Sequence, residues 1–232
     1  MIVLGIETAT AQVGCAIASQ EGLLASFHAA RGRRHAEMLV PAIDFAARAA
    51  GVELAQVGVV AVDVGPGLFT GLRVGLATAK AIAQALRVPM IGFASLDLLA
   101  HQVARSPRLV AALVDARRGE VYWALYRHVP GGAQRLGDYR LGPVDDVVGE
   151  LMALGEDALL VGDGALRYRA ELEEALASAE IGGVAHAYPS AADLVELAHP
   201  RALREEFVQP RDLHPLYLRK SDAEINWERK GA

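Results

Sequence analysis

One glycine-rich segment contains the residue types that could bind a phosphate group. It reads Gly65-Pro66-Gly67-Leu68-Phe69-Thr70-Gly71-Leu72-Arg73-Val74-Gly75. Gly-Pro-Gly is typical of a tight turn between a strand and a helix, and Thr70 is predicted to be the N-cap of that helix. The free N–H groups at a helix N-terminus can hold phosphate. Close packing of the helix against a neighbour, for which Gly71 and Gly75 leave room, explains the same residues equally well.

The histidines and the cysteine do not indicate a metal site by their spacing. Two histidines at positions i and i+4 share a helix face and can chelate a metal. The seven histidines, at 28, 35, 101, 128, 186, 199 and 214, include no such pair, and Leu39 stands four residues after His35. No His-Glu-x-x-His occurs, so a metallopeptidase is the least favoured function. Cys15 lies in an apolar segment and is predicted to be a core thiol. The sequence therefore predicts no metal site, and we assign no catalytic residue.

Hydrophobic periodicity predicts the same order of elements twice. The first half has predicted strands at 2–7, 13–19, 23–29, 58–64 and 90–93, and helices at 35–50, 70–86 and 95–104. The second half has strands at 109–115, 121–128, 134–141 and 158–161, and helices at 144–154, 169–177 and 191–198. Pro41 is expected to kink its helix or to mark the first turn. The repeated βββαβα order predicts two lobes, at 1–105 and 108–219, followed by a polar tail at 220–232.

This duplicated order resembles the plan of the actin-like α/β fold, the ribonuclease H-like ASKHA superfamily, in which each lobe has a mixed sheet flanked by helices. In that superfamily a nucleotide usually lies between the lobes, and an Asp touches a metal-bound phosphate where this chain has Glu7. The longer side chain would shift the carboxylate, so a strand-end carboxylate bonding backbone N–H groups is the favoured role. Asp63-Val64-Gly65 and Gly162-Asp163-Gly164 could imitate nucleotide loops, but ordinary turns explain both.

Two helices of the first lobe are apolar around most of their circumference. A sheet covers only one side of a helix, so this pattern indicates burial on a second side. The two helices could pack on each other, or they could form half of a helical bundle that another subunit completes. The candidate partner-interface residues are Met38, Ala42, Phe45, Ala49, Arg73, Leu76, Ala77 and Lys80.

Composition and charge favour an ordinary globular protein. The chain is 53% hydrophobic and 22% charged, and its net charge is −5. No apolar run is long enough to span a bilayer and no basic leader precedes the first strand, so a cytoplasmic location is expected and no membrane partner. An acidic chain has little independent hold on RNA. Its densest basic run, Arg31-Gly32-Arg33-Arg34-His35, is interpreted as a solvated loop.

Four segments, in the same order along the chain, resemble the TsaB (YeaZ) family. They are the glycine-rich segment above, Ile6-Glu7-Thr8-Ala9-Thr10, Asp115-Ala116-Arg117-Arg118-Gly119-Glu120-Val121-Tyr122, and Pro215-Leu216-Tyr217-Leu218-Arg219. Leu68 stands where the family commonly has Ser, and Glu7 departs from its usual Asp. The Asp115 segment could face the cleft or could be a solvated hairpin with internal ion pairs, and no reaction is assigned to it.

The resemblance implies a non-catalytic subunit of the complex that transfers threonylcarbamoyl to the tRNA adenosine beside the anticodon. Its implied partners are a TsaD-like catalytic subunit and a TsaE-like ATPase, with tRNA held indirectly and a homodimer when the chain is alone. No cofactor is expected in the isolated chain, and ATP or ADP could bind at the partner interface. The alternative is a small actin-fold ATP-dependent phospho- or carbamoyl-transferase. Binding of ATP to the isolated chain separates the two hypotheses.

Overall fold

The computed structural model describes residues 1–30 and 34–219, and in them two five-stranded mixed sheets. The predicted tail at 220–232 and residues 31–33 of the basic run lie outside the described residues. None of the helices in the described ranges combines the length and the apolar character needed to cross a membrane.

The first sheet has the strand order β3-β2-β1-β4-β5. Strands β1 to β3 form an antiparallel meander, whereas β4 runs parallel to β1 and β5 parallel to β4. Buried Val, Ile, Leu and Ala side chains fill the central strands, as expected for a sheet covered on both faces. The strands are β1 Ile2–Glu7, β2 Val13–Ser19, β3 Gly22–Ala29, β4 Val57–Gly65 and β5 Met90–Ala94. Helices α1, His35–Ala50, and α2, Phe69–Leu86, pack against this sheet and against each other.

The second sheet repeats this topology. Its order is β10-β9-β6-β7-β8. Strands β6 to β8 form an antiparallel meander, β9 runs parallel to β6, and β10 runs parallel to β9. The strands are β6 Leu109–Arg117, β7 Glu120–Val129, β8 Gly132–Pro143, β9 Ala158–Val161 and β10 Glu180–Ile181. The remaining helices are α3 Ser95–Gln102, α4 Val144–Leu154, α5 Asp163–Arg167, α6 Arg169–Ala175 and α7 Ala191–Leu203, with 3-10 turns at Leu54–Gln56 and Val184–His186. The predicted duplicated actin-like order is confirmed.

Two helices pack on the sheet of the other half of the chain. Helix α7 follows the second sheet in the chain but packs on the first, where Leu194, Val195 and Ala198 share a core with Val3 and Ala61. Helix α3 follows the first sheet and packs mainly on the second, where Leu96, Leu99 and Ala100 join its core, while Leu98 faces the first. The predicted division at residues 105–108 therefore separates the two sheets but not the helices that cover them.

Several element ends differ from their predicted positions. Helix α1 begins at His35 and continues through Pro41, so this proline lies inside the helix rather than in its first turn. Helix α7 extends to Leu203 through Pro200, beyond the predicted end. The short helix α5 and the two-residue strand β10 were not predicted, because segments of five and two residues carry too little periodicity to detect.

Candidate functional site

The glycine-rich segment joins β4 to α2. Gly65 ends the strand, the Gly65–Pro66 peptide bond is cis, and the helix begins at Phe69. The carbonyl of Leu68 accepts the first helical bond, from Leu72 N at 3.0 Å. Leu68 is therefore the N-cap residue and no side chain caps the helix. The prediction that Thr70 is the N-cap is wrong, because the helix begins one residue before it.

The chain's own backbone fills the space at this helix N-terminus. The amide of Leu68 donates to Ala9 O at 2.6 Å, and Thr8 Oγ1 donates to Gly71 O at 2.8 Å. A Cβ on Gly67 would lie 2.1 Å from Ala9 O, and one on Gly71 would lie 2.1 Å from Thr8 O. These glycines therefore allow the 8–10 loop to press against the helix. Close packing against this loop therefore accounts for Gly67 and Gly71.

Two acidic side chains lie together beneath that loop. Ile6 pairs with Val62 in the parallel β1–β4 register, so that Glu7 and Asp63 follow as neighbours at the strand ends. Both are fully buried. Glu7 Oε1 accepts from Ala9 N at 2.8 Å, as predicted for a strand-end carboxylate, and Asp63 Oδ1 accepts from Gly65 N at 2.7 Å and from Ser95 Oγ at 2.8 Å.

The other oxygens of this pair, Glu7 Oε2 and Asp63 Oδ2, have no hydrogen-bond partner among the described residues. Burial raises the pKa of Glu7 well above its usual value, and the charge of Asp63 raises it further. Burial also raises the pKa of Asp63, to about 7. Desolvation favours the neutral form of a carboxyl group. The pair can therefore retain protons at a pH where exposed carboxylates are ionised.

The equivalent strand ends of the second lobe are held by ion pairs. Asp115 Oδ2 lies 3.1 Å from Arg117 Nη1 and 3.5 Å from Arg167 Nη1. Asp163 Oδ1 accepts from Asp115 N at 2.9 Å, and burial raises the pKa of Asp163 to about 6. A Cβ on Gly162 would lie 2.0 Å from Leu113 O. The Gly162-Asp163-Gly164 turn is therefore explained by its contact with β6. The Asp115 segment is a hairpin whose ion pairs lie partly within it, Asp115–Arg117, and partly to residues outside it, Arg167 and Arg219.

The outer surface of α1 and α2 carries most of the predicted interface residues. Phe45, Ala49, Arg73 and Ala77 are exposed, and Met38 and Lys80 are half-buried. Two candidates are corrected: Ala42 is 3% exposed and Leu76 is 7% exposed, because both side chains point into the first-lobe core. Neither can contact a partner in this conformation.

Three apolar residues on this surface were not among the candidates. Val40 is 60% exposed, and Phe69 and Tyr217 stack with their ring centroids 5.4 Å apart. The guanidinium of Arg73 lies 3.8 Å from the Phe69 ring centroid, and its Nε donates to the Tyr217 hydroxyl at 3.3 Å. Val40 was discernible as an apolar position on the outer face of its helix. The Tyr217 contact joins residues 144 positions apart and leaves no local signal.

Comparison with known proteins places this architecture among tRNA-modification proteins. Residues 23–227 match the family model of the tRNA N6-adenosine threonylcarbamoyltransferase TsaD. A Bacillus subtilis tRNA threonylcarbamoyladenosine biosynthesis protein TsaB is 26% identical, with 98% of each chain covered. An uncharacterized Mycobacterium leprae protein is 35% identical over 96% of this chain, which spans 56% of that protein's length.

Solved structures agree on the fold. A Pseudomonas aeruginosa protein described as similar to the peptidase YeaZ has a TM-score of 0.82 and 30% identity, with 94% of this chain and 99% of that chain covered. The hexokinase of Thermus thermophilus has a TM-score of 0.51 at 14% identity over 89% of this chain and all of its own, a likeness in fold alone.

Proposed function

This chain belongs to the TsaB (YeaZ) family, and from that premise we propose that it is a non-catalytic subunit in tRNA threonylcarbamoyladenosine biosynthesis. In this proposal α1 and α2 bind a TsaD-like enzyme, which transfers threonylcarbamoyl from its adenylate to the adenosine next to the anticodon. A TsaE-like ATPase joins the assembly.

The observation that carries the proposal is the pair of large exposed apolar side chains on the outer face of α1, one on each side of the exposed Asp44–Arg48 ion pair. Val40 and Phe45 are 60% and 61% exposed, and five residues at about 100° each place them about 140° apart around the helix. Apolar side chains therefore flank both sides of the outer face, with Ala49 also exposed. Aromatic and aliphatic side chains that leave water on association supply most of the energy of an interface.

The cleft supports a binding role rather than a transferase role. At the N-terminus of α2 the chain's own Ala9 carbonyl already accepts from the Leu68 amide, one of the N–H groups that a phosphate would use. Glu7 and Asp63 are buried and each accepts from a backbone amide two residues on, Ala9 N and Gly65 N, which supports a structural role for the pair. The net charge of −5 gives the chain little attraction to RNA, so the partner would hold the tRNA.

The same helices are the proposed contact of a homodimer when no partner is present. Any ATP or ADP would bind at the interface with the partner rather than in the cleft of this chain. The cytoplasm is the proposed location.

Reconstitution tests the subunit role. The chain is combined with TsaD- and TsaE-like proteins, threonylcarbamoyl-adenylate, ATP and tRNA, and each component is omitted in turn. We expect sustained modification only when this chain is present, and no turnover by the chain alone. Full modification without it would refute the subunit role. ATP-dependent turnover by the isolated chain would establish the alternative, a small phospho- or carbamoyl-transferase.

Charged substitutions locate the contact. Val40→Glu and Phe45→Glu each place a carboxylate on the outer face of α1, and Met152→Glu on α4 is the matched control because Met152 is 64% exposed. We expect the first two to abolish co-elution with the TsaD-like protein while circular dichroism stays unchanged, and Met152→Glu to leave co-elution intact. Co-elution of both α1 variants would place the contact elsewhere.

A further inference from the structure

A histidine and two carboxylates from the crossing helices meet at one point. His101 lies in the last turn of α3, and Asp193 and Glu196 lie one turn apart on α7. The donor atoms of the three side chains all lie within 4.8 Å of one another. Asp193 stands 92 positions after His101, so sequence spacing could not reveal this cluster.

The contacts of the cluster are incomplete. His101 Nε2 lies 3.7 Å from Glu196 Oε1, which is too long for a hydrogen bond. In the described part of the chain no hydrogen bond reaches either ring nitrogen of His101, although its side chain is only 18% exposed. Asp193 is also half-buried. The ring nitrogens of His101 are not among the fully buried unpartnered atoms, so water or an ion can reach them.

The cluster opens onto a cavity of about 750 Å³ between the α3–β6 connection, the β7–β8 hairpin and α7. A second histidine, His128, lines this cavity, and its Nδ1 lies 2.5 Å from Ala104 O. An N–H donated to a backbone carbonyl fixes the ring and leaves Nε2 as the lone-pair nitrogen. The cavity gives an ion access and leaves space for water to complete its coordination.

We propose that His101, Asp193 and Glu196 form a binding site for a divalent transition-metal ion of the Zn²⁺ class. One imidazole and two carboxylates suit Zn²⁺, whereas Mg²⁺ and Ca²⁺ favour oxygen ligands only. Two ligands at about 2.0–2.1 Å from Zn²⁺ lie about 3.4 Å apart in tetrahedral geometry, close to the observed 3.7 Å between His101 and Glu196. Glu196, whose side chain is 74% exposed, can move to close the site.

The metal would join the two lobes. Helix α3 packs mainly on the second sheet, although its Leu98 joins the first core, and α7 packs on the first sheet, so an ion held by both helices would strengthen a link that they already make. It would also neutralise the half-buried Asp193. The expected role is structural, because an ion that binds only the folded chain stabilises it by an amount that rises with the logarithm of the ion concentration above its Kd.

Zn²⁺ titration of the untagged, full-length chain after chelator treatment tests the site. The variants are Glu196→Gln, which changes an exposed side chain, and His101→Asn, and the controls are Glu174→Gln and His214→Asn on exposed surfaces. We expect one Zn²⁺ per chain in the micromolar range by calorimetry, and Zn²⁺ should raise the melting temperature while Mg²⁺ should not. Each ligand variant should weaken binding by at least about tenfold, and the controls should match the wild type.

The proposal is overturned if the wild type binds no Zn²⁺ tighter than the millimolar range. It is equally overturned if Glu196→Gln binds Zn²⁺ as tightly as the wild type, since the three-ligand site requires that carboxylate. If His101→Asn fails to fold, the exposed Glu196→Gln variant still decides the result.

Discussion

Substituting Asp63 by asparagine should make the pH dependence of stability visible. The asparagine side chain keeps an oxygen to accept from Gly65 N and Ser95 Oγ, which donate to Asp63 Oδ1 in the native chain. It replaces the unpartnered Oδ2 with a neutral amide of almost the same shape. The variant therefore imitates the protonated form of Asp63 at every pH.

The sign follows from the raised pKa. Asp63 has a pKa of about 7 when folded, against an ordinary value of 3.8. Between these values the folded chain binds more protons than the unfolded one, so the free energy of unfolding of the wild type falls as pH rises and levels off above about 7. Each extra proton bound by the folded chain changes the free energy of unfolding by about 1.4 kcal/mol per pH unit. Raising the pH from about 5 to about 7 therefore lowers the free energy of unfolding by at most about 2.7 kcal/mol. The charge of Asp63 also raises the pKa of Glu7, so its removal lowers that pKa in the variant and adds to the difference in the same direction.

Urea unfolding of the wild type and Asp63→Asn at about pH 5 and about pH 8 measures this difference. We expect the advantage of the variant to grow by about 1–3 kcal/mol between the two pH values. Asp138→Asn, on the exposed part of β8, is the control and should show no such growth. An advantage that is equal at both pH values would refute the reasoning that Asp63 retains its proton because it is buried.

Three further outcomes are expected. Gly71→Ala in α2 should lower the free energy of unfolding by several kcal/mol in a urea titration, since its Cβ would meet Thr8 O at 2.1 Å. Gly149→Ala in α4 has no atom within 4 Å of its Cβ and should raise that free energy by up to about 1 kcal/mol. Burial raises the pKa of Cys15 to about 12, so a thiol reagent should label it only after unfolding. Arg219→Ala should destabilise the chain by about 1–2 kcal/mol in thermal unfolding, because Arg219 bonds both Ala116 O, at 2.8 Å, and Glu120.

The elements that the sequence predicted best are those whose own periodicity determines them. Helix α4, Val144–Leu154, and strand β9, Ala158–Val161, lie at their predicted bounds, because an apolar stripe and an apolar run end at clear turn residues. The start of α2 was not predictable in the same way. Leu68 is its N-cap because a distant carbonyl, that of Ala9, accepts from its amide.

Among the site residues, too, features set by local sequence were predictable and contacts between distant segments were not. The apolar width of α1 was evident in its sequence, but which positions face the sheet depends on the packing, which buries Ala42 and leaves Val40 exposed. That Glu7 lies beside Asp63 could be known only from the register of β1 against β4. That His101 lies beside Asp193 could be known only once α7 was seen to pack on the first sheet. Contacts between distant segments leave no periodic signal in either partner.

The crossing of α7 also bears on how the chain folds while it is being synthesised. The last strand of the first sheet ends at Ala94, and the helix that covers the α7 face of that sheet begins at Ala191, 97 residues later. At about 5–20 residues per second, the ribosome needs about 5–20 s to produce that stretch. During this interval the apolar face formed by Val3, Ala16 and Ala61 lacks the cover of α7, although Leu98 of α3 belongs to the same core. The nascent first lobe therefore exposes apolar surface to chaperones until α7 has emerged, and a ribosome that stalls before Ala191 would release an aggregation-prone fragment.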